Sequence, residues 1–178
     1  MGTAAEQGVA HPQYGAAAWG IIGFLALMVQ AIVRLGANAL IAIQSDLGAV
    51  HVASLVGWAV FMVYSEGYRG FHTRFAPRFA ARALHLARNP RWLFVVLAPI
   101  YCMGLIHATR RRLIVSWCLL LGIVVLVIVV KQLPQPWRGI IDAGVVLGLI
   151  VGTISVLWHV ARGLQDKNRL VSAEVPGC

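Results

Sequence analysis

Charge is what this sequence has least of. Charged residues make up 12% of its 178 positions, about half the share of an ordinary soluble domain, and only six are acids. Such a chain cannot clothe a soluble fold in solvated side chains, and no polar stretch is long enough to form a separate soluble domain. Cysteine is scarce as well. Cys102, Cys118 and Cys178 show no CxxC spacing and the first two lie in apolar segments, so neither a disulfide framework nor a cysteine metal site is suggested. Those two read as small buried hydrophobes. Cys178 does not fit a prenylation box, which needs three residues after the cysteine. A GxxxxGK phosphate loop, an HExxH zinc helix and an aspartate-rich metal motif are all missing. These absences point away from an enzyme and assign no catalytic residue, no metal and no cofactor. The first residues lack a basic n-region and a cleavage site, so the first apolar run is expected to be retained.

What is present is apolar length. Hydrophobic residues are 60% of the chain and the mean hydropathy is +0.79. Several runs reach the roughly 18 residues that cross about 30 Å of hydrocarbon. The expected fold is all-α, a single polytopic membrane domain over 1–178. In a soluble protein the net charge of +9 would suggest nucleic acid as a partner. Here nine of the fifteen Lys and Arg lie between Arg69 and Arg112, beside apolar segments. Anionic membrane lipid is then the expected counter-charge, and nucleic acid is not.

Helix one is read over 17–44, ending where Ser45, Asp46 and Gly48 supply turn chemistry. Gln30, Arg34 and Asn38 recur every four residues along it and must face the bundle. Helix two is read over 49–66. The stretch from Ser65 to Arg91 then carries six arginines and two histidines against one acid, Glu66. Within its 67–91 portion, Arg74, Arg78, Arg82 and His85 fall on one side of a short helix that Pro77 can start. Phe75, Phe79, Ala83 and Leu86 fall on the other. That pattern predicts either a basic amphipathic helix lying at the membrane interface, with Arg69, Arg74, Arg78 and Arg82 on lipid headgroups, or equally a basic cytoplasmic loop packed on the protein itself at the same membrane face. The run 92–109 is apolar but short and is broken by Pro99 and Gly104. Clean spans follow over 113–130 and 139–161, then a polar tail over 162–178.

Orientation turns on 92–109. If it crosses, there are five spans, and positive charges divide eight to six between the two sides, leaving out Arg34. If it re-enters the side it came from, four spans remain and the division is twelve to two. The positive-inside rule favours the second arrangement: four transmembrane helices plus a re-entrant hairpin, both termini cytoplasmic.

Arg34 needs a partner inside the membrane, and the one acid in a later span is Asp142, so these two are expected to pair. Glu66, Tyr68, His72 and His107 form a possible cluster at the cytoplasmic face, suited either to anchoring helix ends or to acid–base work on an anionic lipid. His51, His107 and His159 raise a b-type haem, which their unmatched depths do not support. Ala49, Ala53 and Gly57 form one small-residue stripe, and Gly144, Gly148 and Gly152 a second, and the two are expected to pack on each other. The function expected is that of an accessory subunit or scaffold, docking on itself or on a larger membrane complex. A carrier or enzyme for an anionic amphiphile is the alternative. The Ala, Leu and Arg content resembles that of chains from GC-rich bacteria, which points to a bacterial inner membrane.

Overall fold

A computed structural model describes residues 14–89 and 91–165, without the side chain of Arg112. Among the described residues the chain is helical apart from short links, and no strand occurs. Four helices are long and apolar enough to cross a membrane: Tyr14–Gln44, Ala49–Arg88, Leu113–Val130 and Trp137–Gln165. Cys178 and most of the expected polar tail lie outside the described residues.

α1 (Tyr14–Gln44) ends where the chain composition predicts. The Ser45 hydroxyl and its backbone N–H both donate to the Ala42 carbonyl, at 2.6 and 3.2 Å, closing the last turn. Gly48 is not needed for a left-handed turn. It sits in the extended region, φ −69°, as the residue that starts α2.

The boundary expected at Glu66 does not exist. α2 (Ala49–Met62) runs into a π-helical segment (Val63–Phe75) and on into α3 (Ala76–Arg88), giving 40 continuous residues. At 1.5 Å per residue its two α-helical portions alone, of 14 and 13 residues, extend about 40 Å, already more than the hydrocarbon thickness. In the π register the Ala76 N–H reaches back five residues to the Phe71 carbonyl. A wider turn just before Pro77 relieves the clash a proline makes with the carbonyl four residues back, so the helix continues where an α-helix would break. α3 does not present the two faces expected of it either. Phe79, Ala80, Ala83 and Leu86 are buried, but so is Arg82, at 2% exposure.

After α3 come α4 (Trp92–Val96) and α5 (Ala98–Cys102), each five residues long and too short to cross a membrane. They meet around Leu97 and Pro99, and the chain leaves α5 through Gly104 at φ 77°. α6 (Arg110–Val130) and α7 (Trp137–Gln165) follow, joined by the 131–136 link.

α7 is the hub: α1, α2, the π-helical segment and α3 all pack against it. The register with α2 and the π-segment is parallel, because partner numbers rise together. Trp58 meets Ile141 and Gly144, Glu66 meets Gly148, Phe71 meets Gly152, and His72 meets Ser155. α1 runs the other way, with Asn38 and Ala42 against Gly139 at one end and Ala17 and Phe24 sharing a core with Val156 and Val160 at the other. The molecule therefore has a basic end, holding α3, α4 and α5, and a far end, holding the 45–48 turn and the 131–136 link. The core is concentrated at the basic end. There Phe24, Phe75 and Phe79 contact one another at ring-centroid distances of 4.7 to 5.7 Å.

α6 is the exception. Among the described residues no other helix packs along it, and every described residue from Leu121 to Val129 is exposed.

Candidate functional site

Three polar loci are built into the helix contacts. The first is Arg82, carried by α3 into the core of the basic end. Its guanidinium donates to the carbonyls of Tyr101, Ile106 and His107 at 3.0, 3.4 and 3.3 Å, and lies over the Tyr101 ring at 5.4 Å. The Tyr101 carbonyl also accepts from the Gly104 N–H at 3.0 Å, while those of Ile106 and His107 lie in the loop beyond the helix, outside its hydrogen-bond ladder. Arginine's planar fork carries five donors and can serve several at once. Arg82 thus clasps the whole return from α5 toward α6. Beneath it, burial pushes the Cys102 thiol up to about 12, against a weaker opposing pull from the Arg82 charge. α5 comes this close to α1 because α1 offers glycines: a Cβ at Gly20 would lie 2.8 Å from the Cys102 sulfur, and one at Gly23 would collide with Pro99.

The second locus lies between the π-segment and α7. His72 Nδ1 is 3.2 Å from Ser155 Oγ, and His159 Nδ1 is 2.9 Å from the Ser155 carbonyl. The hydrogen bonds assign the protons. The Ser155 hydroxyl gives its proton to the Val151 carbonyl at 2.8 Å, so it accepts from His72; the Ser155 carbonyl can only accept from His159. Serine as nucleophile needs the opposite arrangement, with the histidine accepting the hydroxyl proton. The two imidazoles meet edge to face at 4.9 Å, and Tyr68 stacks on His72 at 5.6 Å.

The third is Asp142, 4% exposed near the far end of α7. The expected Arg34–Asp142 pair is not formed. Asp142 lies close to the Asn38 side chain of α1 and 3.9 Å from Arg138, one turn earlier on its own helix, with its Oδ2 left without a hydrogen-bond partner. Arg34 is exposed on α1 and makes no ion pair among the described residues. One turn of helix separates it from Asn38, which occupies the place Arg34 was expected to fill.

The other expected residues divide in the same way. Glu66, Tyr68 and His72 lie together on the π-segment, but His107 is elsewhere, in the loop after α5 against Phe94 and Tyr101. The neighbour His72 does have is His159, whose spacing from it in sequence carries no signal. His51 stacks on Trp137 at the far end, so His51, His107 and His159 do not come together. Arg69 and Arg74 are exposed, Arg78 is half-buried, and Arg82 is buried on backbone carbonyls rather than on lipid. Gly144, Gly148 and Gly152 receive helix two, but through Trp58, Met62, Glu66 and Phe71. Ala49, Ala53 and Gly57 are exposed on the opposite side, and nothing lies within 4 Å of a Cβ at Gly57. Among the described residues no three His, Cys, Asp or Glu side chains stand close enough to share a metal ion.

The chain matches no family model, no curated protein and no solved structure.

Proposed function

We propose that this chain is a small, non-enzymatic scaffold or accessory subunit of a bacterial inner membrane, docking through α6 on a second copy or on a larger membrane complex. The observation that carries this reading is the isolation of α6. Helices joined by a link as short as 131–136 ordinarily pack on each other, and this one does not. The glycines of α7 that membrane helices use for close packing are filled from within the chain, by Trp58, Met62, Glu66 and Phe71, whereas α6 receives no such neighbour.

The orientation that goes with it has four spans and the basic end in the cytoplasm, with 92–109 re-entering the cytoplasmic side. Its support is the charge division of twelve to two and the fact that neither α4 nor α5 has the length to cross. Arg69 and Arg74, exposed where the 40-residue helix turns from apolar to basic, then meet anionic headgroups.

Extraction in a mild detergent followed by light-scattering mass measurement tests the proposal. The expected result is an assembly heavier than the 19.3 kDa monomer. A strict monomer with no co-purifying protein overturns it. If that monomer retains anionic lipid, and loses it in Arg69→Ala with Arg74→Ala, the carrier reading replaces the scaffold.

A further inference from the structure

Large apolar side chains stand together on the outside of α4 and α5. Trp92 is 74% exposed and Val96 65%, and Leu93, Leu97 and Ile100 are exposed beside them. An apolar patch of this kind, on helices that cross nothing, needs an occupant. Its level in the molecule identifies one. α5 rests on Gly20 and Gly23 of α1, and the Trp19 indole N–H donates to the Val96 carbonyl at 3.3 Å. Trp19 on α1 and Trp158 on α7 are both exposed at this level, with Arg162 lying over the Trp158 ring at 4.6 Å. Exposed tryptophans beside cations mark the headgroup boundary of a membrane protein. Arginines border the patch on both sides in sequence: Arg91 before α4, and Arg110 and Arg111 at the start of α6, all exposed.

We infer that α4 and α5 form a shallow wedge in the cytoplasmic leaflet, a deepening that rests on the orientation proposed above. Trp92, Leu93, Val96, Leu97 and Ile100 lie among acyl chains just below the headgroups. Arg91, Arg110 and Arg111 sit on the phosphates of anionic lipids. Lipid rather than a protein is the occupant because the patch lies at the tryptophan level and continues the exposed apolar face of α1 at Ile22, and because the bordering charges are all of one sign. The wedge is rigid from behind. Arg82 holds the return from α5 through three carbonyls, and Gly20 and Gly23 seat α5 on α1, so insertion requires no refolding. An element of this kind enters only to about 5–10 Å and occupies one leaflet alone.

Nitroxide labels test this in the full chain with Cys102, Cys118 and Cys178 replaced by alanine. They are placed singly at Val96, Ile100, Leu121 on α6 and Gln135 in the link, in reconstituted vesicles. Labels at Val96 and Ile100 should collide freely with oxygen, resist a water-soluble nickel chelate, and report a depth between Leu121 and Gln135. Nickel accessibility equal to that at Gln135 overturns the wedge, because the patch would then face water. A depth equal to that of Leu121 overturns it too, because the segment would reach the bilayer centre. Reversal of Arg91, Arg110 and Arg111 to glutamate should move the Val96 label outward in equimolar phosphatidylcholine and phosphatidylglycerol, and leave it in place in phosphatidylcholine alone. Equal depths in the two lipids remove the anionic contact. The scaffold reading is tested by mass instead, so the two can fail separately.

Discussion

α6 and α7 are consecutive helices, both long and apolar enough to span a membrane, yet α1, α2, the π-helical segment and α3 all pack on α7 while, among the described residues, no helix packs along α6. Their glycines explain the difference. Along α7, Gly139, Gly144, Gly148 and Gly152 each admit a neighbouring helix: a Cβ at Gly152 would lie 2.6 Å from the Phe71 ring, and one at Gly148 3.4 Å from the Met62 carbonyl oxygen. α6 has one glycine, Gly122, and nothing lies within 4 Å of its missing Cβ. Lipid tails are as apolar as leucine, so hydrophobicity carries a helix into the bilayer without telling it what to pack on. Close approach does that. α7 is held along its length, whereas α6 is held at its ends, at its foot by the Arg82 clasp on Ile106 and His107.

The clasp is therefore where the comparison breaks most easily. Arg82→Met removes a donor from three carbonyls of the α5–α6 return; that of Tyr101 keeps the Gly104 N–H, while those of Ile106 and His107, half-buried, lose the guanidinium at about 1–3 kcal/mol each. Unfolding in detergent should register a loss of about 2 kcal/mol or more. Arg74→Met, at an exposed position, should stay within about 0.5 kcal/mol. A smaller contrast comes from the glycines. Gly152→Leu must displace the Phe71 ring and should destabilise by about 1–3 kcal/mol, while Gly122→Leu should leave the isolated protein unchanged. If both are silent, α7 is not the hub.

The cysteines give a third contrast. Cys102, buried under the clasp, has its thiol held up at about 12 against an ordinary 9.0, while Cys118 is exposed on α6. A raised value means the folded state keeps its proton longer than the unfolded chain does. The stability this brings is fully present below pH 9 and is lost as pH rises from 9 toward 12, at up to about 1.4 kcal/mol per unit. Thermal melts of the Cys102→Ala variant should lack that alkaline decline. The smallest effect expected is that of Trp58→Phe. It removes the 3.1 Å bond from the indole N–H to the Ile141 carbonyl and should lower stability by about 1 kcal/mol in the same assay.

How much of this is legible beforehand follows the same division between entering a membrane and packing within it. The apolar runs announce four crossing helices, and Ser45 announces the end of α1. Glycines at 144, 148 and 152 announce a close contact, because spacing by four puts them on one face of a helix. What they meet is not legible. The Ala49–Ala53–Gly57 stripe has the right chemistry and faces away, whereas Trp58 and Phe71 have the wrong size and fill the groove. The stop expected at Glu66 fails because charge density marks where a helix leaves hydrocarbon, not where its hydrogen bonds end. Arg34 and Asn38 differ by one turn, and only the register of α1 on α7 decides which of them meets Asp142. Arg82 reads as one more surface arginine. Its burial depends on α5 folding back over it, a contact between segments about 20 positions apart that no periodicity in either one signals.

The central claim is the proposal that α6, along which no helix packs among the described residues, has its partner outside the chain. A nitroxide scan of oxygen accessibility from Leu119 to Val129, in a Cys118→Ala background, measures this directly. In the dispersed monomer the profile should be flat, because every side of α6 meets detergent or lipid. In the native membrane it should oscillate with the 3.6-residue period of a helix, as one face is covered. A periodic profile already in the monomer would mean that α6 packs on its own bundle. A flat profile in the native membrane would mean that lipid alone surrounds it, and either result contradicts the account.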